Sequence, residues 1–501
     1  MEIVSGLSLR YLRLENASSP MLVTHLLQYA CADSNALPPA LSAWQYAISQ
    51  RLAQLPTLRQ RLVESPLQLA NPLWLDDPHM DLNYHLRGVN LSETTTDNPQ
   101  DLRSAPQNPD AFQVGLERLI ANRLANPLDR GSPLWRLDIV SSHESKQFAI
   151  LATVHLALAY RLPTSLLDVL FPEDNLVLAC QHHTTTPASA QQWMQWIPES
   201  IPSRNDFVKF ARGDWFELPQ QMRSVSQLVL GRWTKKKVAR ALVEKSALPP
   251  NLKAAPESLF NQPNNTSVSV AQVNITAHDA RQILRSFKQV ELRDLVYTLV
   301  SRSLQLLLEE LDHQHKDELV ALVQPIAINS VSLDSGKKSK KGPINSQLQL
   351  LRLPTLGTDL LEQLQSVLER QTIANDFSEL CNHHNGLEML PSSVLSLLFS
   401  TYQRFGLRHF HKPLCNLMIT ERAANSKLQS INDYHQTRQA ISTSLMPNLG
   451  LHVAFFNSAI GACISFTTNP SSIDAAHLAK IFEQCWQDLK RYCQKSDRSA
   501  L

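Results

Sequence analysis

Histidine is the residue type in this 501-residue sequence whose placement first suggests chemistry. An imidazole titrates near neutrality, so it can take a proton from an alcohol whose own pKa lies far above 7. Three places hold candidates. His155 stands in the run Val154-His155-Leu156-Ala157-Leu158-Ala159-Tyr160-Arg161, and two pairs, His182-His183 and His383-His384, stand elsewhere. His383-His384-Asn385-Gly386 reads as a loop or turn rather than a metal site. Serine, cysteine and aspartate occur throughout without a G-x-S-x-G elbow. The seven cysteines are odd in number and scattered, with no C-x-x-C pair, and read as reduced thiols of a cytosolic protein.

The elements around His155 decide where it points. Trp135 to Val140 alternates, as does Gln147 to His155, and both read as strands; Leu162 to Phe171 then resumes a helix-like apolar run. His155 to Arg161 therefore falls at a strand-to-helix junction, a place where chemistry is often sited. Upstream, residues 37–62 carry Leu41, Trp44, Ile48, Leu52 and Leu55 at helical spacing, and Phe112 to Leu124 repeats that pattern. Downstream, the spacing predicts a strand over 267–275, helices over 277–287 and 292–311, and strands over 318–328 and 347–353. Helices over 358–375 and 392–405, strands over 414–420, 449–456 and 461–467, and a helix over 473–493 follow. The expected architecture is mixed α/β, an α+β layered fold, with an N-terminal domain over 1–180, a crossover over 181–264 and a C-terminal domain over 265–501.

Composition excludes several classes. Lys+Arg 47 against Asp+Glu 45 leaves a net charge of +2, too weak a field to argue for nucleic acid as the partner. No secretion signal opens the chain, and no apolar stretch approaches the roughly 20 residues of a spanning helix, so a cytoplasmic protein is expected. The crossover combines Trp193, Trp196, Trp215 and Trp233 with Lys235-Lys236-Lys237. It reads either as a linker packed onto both domains or as a surface peripheral to membranes or lipid inclusions. Only 13 glycines occur, against an average of about 7% of residues.

Ordered motifs then carry a resemblance. Ser5 to Glu15 with Pro20-Met21, Leu55 to Val63, Pro72-Leu73-Trp74, Asp81 to Arg87, Pro127-Leu128-Asp129-Arg130 and Pro133-Leu134-Trp135 follow one another as in wax ester synthase/diacylglycerol acyltransferases. Leu292 to Leu304, with Asp294, resembles that family's N-D-V-V-L-A helix. Leu322 to Ile328, Asn345-Ser346, Leu353-Pro354-Thr355, Asn416 to Thr420 and Leu449 to Phe466 also fall in order, so the resemblance spans nearly the whole chain. It implies two chloramphenicol-acetyltransferase-like domains with a tunnel between them, acyl-CoA as the donor, a fatty alcohol or diacylglycerol as acceptor, and no cofactor or metal.

The resemblance also implies an HHxxxDG motif whose second histidine is the base. Here Leu156 stands at the base, Tyr160 at the Asp and Arg161 at the Gly. Leucine accepts no proton, tyrosine has no charge with which to organise the site, and arginine adds a long cation where the backbone is bare in the family. His155 is the remaining catalytic candidate, but adjacent strand residues point to opposite faces, so a Leu156 facing the tunnel turns His155 away from it. In the second half, Asn416 and Thr420 persist as substrate-binding positions, while the family's S-N-V-P-G-P turn corresponds to Thr420-Glu421-Arg422-Ala423-Ala424-Asn425. Three readings follow: an impaired homologue that binds acyl-CoA or lipid, an active O-acyltransferase with a displaced base, and a structural lipid-body or interaction protein.

Overall fold

Proline ends the first amphipathic helix early. One helix is expected over 37–62, whereas α2 (Leu41–Leu52) stops ahead of Pro56 and gives way to a 3-10 turn (Pro56–Leu58) and strand β3 (Gln60–Val63). The proline ring disfavours helical backbone at the preceding residue, and Leu55 accordingly has φ −121° and ψ 74°. The computed structural model describes residues 2–31 (apart from 5), 39–65, 71–91, 110–141, 147–171, 206, 209, 255–313 (apart from 288), 318–325, 349–355, 359–381, 413–423, 430–431 and 434–499. Most of the crossover, the basic loop over 336–342, the helix expected over 392–405 and both His-His pairs lie outside the described residues.

Two six-stranded sheets dominate. The first runs β12 (Ser430–Ile431), β13 (Tyr434–Thr443), β2 (Leu22–Cys31), β7 (Gln147–His155), β6 (Trp135–Ser141), β5 (Leu86–Asn90). The second runs β10 (Gln349–Arg352), β9 (Val320–Pro325), β11 (Leu417–Ala423), β14 (Leu451–Ser458), β15 (Gly461–Thr468), β8 (Ser269–Thr276). In it β11 is parallel to both β9 and β14. A small third sheet joins β1 (Glu2–Ile3), β4 (Leu73–Asp76) and β3.

The sheets cut across a division of the chain at 180 and 265. Strands β12 and β13 come from the second half yet complete the first sheet, with Thr443 opposite Val23 and Tyr434 opposite Cys31. Ser444 extends the junction: its N–H donates to the Leu22 carbonyl at 2.9 Å, and the Leu22 N–H donates to Ser444 Oγ at 2.8 Å. Residues 255–261 pack on the second half, where Phe260 is buried in the core and Asn261 Nδ2 donates to the Cys415 carbonyl at 2.9 Å.

Each half has its own core. Strand β7 is buried along nearly its whole length because it lies inside the sheet, and its continuous apolar run reflects that. Trp44, Trp135, Tyr29 and Phe148 fill the first core; helix α8 (Leu292–Glu310) and helix α10 (Ala475–Ser499) cover the second sheet with Leu304, Phe482 and Trp486. The β14–β15 turn needs a glycine. Gly461 has φ +144°, and a Cβ there would meet the Ile275 carbonyl oxygen at 2.3 Å. Gly461→Ala should therefore destabilise the chain by about 1–3 kcal/mol or more. An unchanged urea midpoint for this variant would show that the turn relaxes freely.

Candidate active site

The strand and the helix that follow Trp135 place the motif residues in order. Strand β7 ends at His155, and helix α5 (Leu156–Ala159) begins at the next residue, with His155 as its N-cap. The His155 N–H donates to the Leu134 carbonyl at 3.1 Å and the Leu156 N–H to the Met21 carbonyl at 2.8 Å, so backbone on either side fixes the junction. Ser8 Oγ donates to the Ala157 carbonyl at 2.8 Å and holds the new helix against α1 (Gly6–Leu14).

His155 has one ring nitrogen hydrogen-bonded and the other beside a carboxylate. Nδ1 accepts the Ala157 N–H at 3.0 Å, which requires an unprotonated Nδ1 and puts the proton of the neutral ring on Nε2. That Nε2–H faces Glu15 Oε2 at 3.6 Å, and the side chain is 1% exposed. Burial pushes the Glu15 carboxyl up, but His155 and Arg130 together outweigh it and hold the group below its ordinary range. Arg130 Nε donates to Glu15 at 2.9 Å, Arg130 Nη1 reaches Glu64 at 3.2 Å, and Arg13 reaches the other oxygen of Glu64 at 3.3 Å. His155 thus closes one end of a chain of charges, with no free basic nitrogen directed at an acceptor hydroxyl.

The other three motif positions are filled by side chains that bind the protein itself. Leu156 is buried in the first core. Tyr160 stacks on Tyr11 with ring centres 5.1 Å apart and planes within 9°. Its hydroxyl meets that of Tyr11 at 3.2 Å, and Gln324 of β9 donates to both hydroxyls, to Tyr11 at 3.4 Å. Burial raises the Tyr160 pKa well above its ordinary value, so no anion forms where the family motif has aspartate. The Arg161 guanidinium lies 4.6 Å from the centre of the Trp74 ring, donates to Gln60 at 3.0 Å and pairs with Glu2. Arginine at the glycine position therefore ties α5 to the third sheet.

In the second half, Asn416 is wholly buried. Its Oδ1 accepts the Val320 N–H at 2.8 Å while Nδ2 donates to Pro256, Ser258 and Asn261 at 2.6–3.0 Å. Thr420 Oγ1 donates to His452 Nε2 at 2.8 Å, and His452 Nδ1–H donates to the Ser444 carbonyl at 3.3 Å. Burial holds His452 down at about 4. The turn expected after Thr420 is strand instead. With Ala423 in place of proline the N–H groups remain available, and β11 runs on to Ala423, paired with Asn457 of β14. Sequence reasoning missed Tyr11, Glu15, Arg130, Gln324 and His452 as parts of the site. All five lay within the ordered motifs, but no local spacing marked their partners.

Two layered halves with the His155 junction between them make a chloramphenicol-acetyltransferase-like fold. The same fold is found, at TM-score 0.61 and 15% identity, in the wax ester synthase/diacylglycerol acyltransferase from Marinobacter aquaeolei VT8, covering 99% of this chain and 100% of that one. The first condensation domain of the CDA synthetase shares it at TM-score 0.52 and 12% identity, over 98% of this chain and 96% of that one. Residues 4–295 match the family model of the wax ester synthase/diacylglycerol acyltransferase catalytic domain, and the chain belongs to that family. It is similar to a probable diacyglycerol O-acyltransferase, tgs3, of Mycobacterium tuberculosis H37Rv, 29% identical over 44% of this chain and 71% of the relative. A putative diacyglycerol O-acyltransferase, Rv3087, of the same strain is 23% identical over 79% of this chain and 77% of its own.

Proposed function

We propose that this chain binds acyl-CoA or a lipid between its halves and carries out no acyl transfer at residues 155–161. One observation carries the reading: the base position is Leu156, and the adjacent His155 has one nitrogen in a helix cap and the other against Glu15. An acceptor hydroxyl then has nothing at the motif to take its proton, a contribution worth typically 10²–10⁴-fold in rate.

The test incubates the full-length chain with acyl-CoA and either a long-chain alcohol or diacylglycerol, with CoA release and ester product measured across pH 6–9. The expected outcome is background turnover together with an acyl-CoA-dependent rise in melting temperature. Leu156→His alone should leave turnover at background, because Tyr160 still binds Gln324 and Arg161 still binds Gln60. Clear turnover that disappears in His155→Ala sinks the proposal.

The Thr420–His452 pair favours a second reading, an O-acyltransferase with a displaced base, since it sets a hydroxyl against an imidazole whose tautomer is fixed by a carbonyl. Against it, both side chains are buried and the low His452 pKa makes a weak base. Acceptor-dependent CoA release that survives His155→Ala and is lost in His452→Asn selects this second reading.

A further inference from the structure

Strand β11 presents two different faces. Glu421 points to the helical layer, where Tyr297 of α8 donates to it at 3.1 Å. Thr420 and Arg422 point the other way, toward the first half, as the Thr420 bond to His452 and the register of Thr420 with Gln324 require. Arg422 stands opposite Phe456 of β14, and Phe456 packs on the ring of His25 of β2, with centres 5.2 Å apart. Ile441, Ala454 and Phe456 form an apolar cluster beside them that joins the two sheets.

Three polar groups around this cluster lack partners among the described residues. Arg422 Nε is buried with no acceptor, and the guanidinium makes no ion pair among the described residues. His25 Nε2 accepts from Gln439 at 3.1 Å, which leaves the proton on Nδ1, and this Nδ1 is buried without an acceptor in a side chain 7% exposed. Thr443 Oγ1, one pair further along the same face of the first sheet, is also buried and unpartnered. Asp168 of α6 (Leu166–Leu170) exerts an opposite charge on Arg422, but its carboxylate is held by the Ser165 N–H at 3.3 Å in the helix cap. Burial and the Arg422 charge keep His25 neutral, with a pKa of about 3, so the positive charge beside Phe456 is that of Arg422. Buried donors without acceptors are rare and costly.

We infer that Arg422 and His25 seat the anionic head of a single-chain acyl lipid at the seam between the halves, the carboxylate of a free fatty acid being the head that fits. A carboxylate is a monoanion with two oxygens, one for the guanidinium and one for an imidazole N–H, and its chain finds apolar company at Phe456 and Ile441. This rests on the reading that the chain binds an acyl ligand between its halves.

Binding of palmitate, hexadecanol, hexadecyl phosphate and palmitoyl-CoA to the full chain, by calorimetry and thermal shift, tests the inference in wild type and in Arg422→Met. Palmitate should bind wild type about tenfold or more tighter than hexadecanol, and Arg422→Met should lose that advantage while hexadecanol affinity stays constant. A cooperative melt and retained hexadecanol binding establish that the variant is folded. Equal palmitate affinity in wild type and variant, or palmitate no tighter than hexadecanol, overturns the inference and leaves the broader reading standing. Hexadecyl phosphate binding more tightly than palmitate reassigns the head and overturns the carboxylate. Failure of all four ligands to bind wild type rejects the broader reading itself.

Discussion

Acidification below pH 6.5 is expected to destabilise this chain steeply, before its ordinary carboxylates titrate. His25, His85 and His452 are buried and neutral, with pKa values of about 3, 4 and 4 against an ordinary 6.5. Above 6.5 both folded and unfolded states leave these rings uncharged, and stability is at its full value. As pH falls toward 4, the unfolded chain takes up protons that the folded chain refuses, so stability is lost over that window. Each histidine contributes a slope approaching about 1.4 kcal/mol per pH unit, and three together about 4. Glu117, Asp294 and Glu421 act in the opposite sense. Burial raises their pKa values, so they penalise the folded state above the carboxyl range and relieve that penalty on acidification. Their offset runs from their raised folded values down to the ordinary carboxyl range, inside the histidine window, and subtracts from the histidine slope there. Urea midpoints measured from pH 7 to 4.5 should fall steeply below 6, and His452→Asn should remove about one proton's share of the slope. A midpoint that stays flat to pH 5 contradicts the assignment.

Arg123→Met should cost about 3–5 kcal/mol, the penalty for leaving a buried carboxylate alone. Asp138 of β6 is wholly buried, and Arg123 of α4 (Asp110–Ala125) binds it with two bonds, Nε at 2.8 Å and Nη2 at 2.9 Å. The pair ties the helix to the strand that carries Trp135, the neighbour of β7 in the sheet. Replacing both partners, as Arg123→Met with Asp138→Leu, should recover most of the loss, because no uncompensated charge then remains. Denaturant unfolding of the two variants measures the difference. A single variant within 1 kcal/mol of wild type would place the Asp138 carboxylate in contact with water.

Much of this was legible in the residues, for physical reasons that differ between elements. The strand ending at His155 could be read from its run of residues, whereas the helix expected from Leu162 to Phe171 is replaced by α5 at Leu156–Ala159 and α6 at Leu166–Leu170. The missing base could be read because Leu156 is chemically unambiguous. Strand β13 could not. Arg438, Gln439 and Ser442 are buried polar residues whose bonds run to other strands, as from Ser442 to Ser465 at 2.5 Å, so the apolar alternation that marks a half-buried strand is absent. The partners of the motif positions were equally hidden. Tyr11 and Gln324 lie 149 and 164 residues from Tyr160 along the chain, and no local spacing connects them.

The pairing of β13 with β2 also sets an order on synthesis. Until residues 434–443 have left the ribosome, β2 has β7 on one side and an open ladder of N–H and C=O groups on the other. More than 400 residues separate Leu22 from Ser444, so the nascent first sheet carries a naked edge for nearly the whole of translation. Shortening the chain before 443 would make that exposure permanent, and the fragment would then be a template for pairing with other chains rather than half of a folded protein.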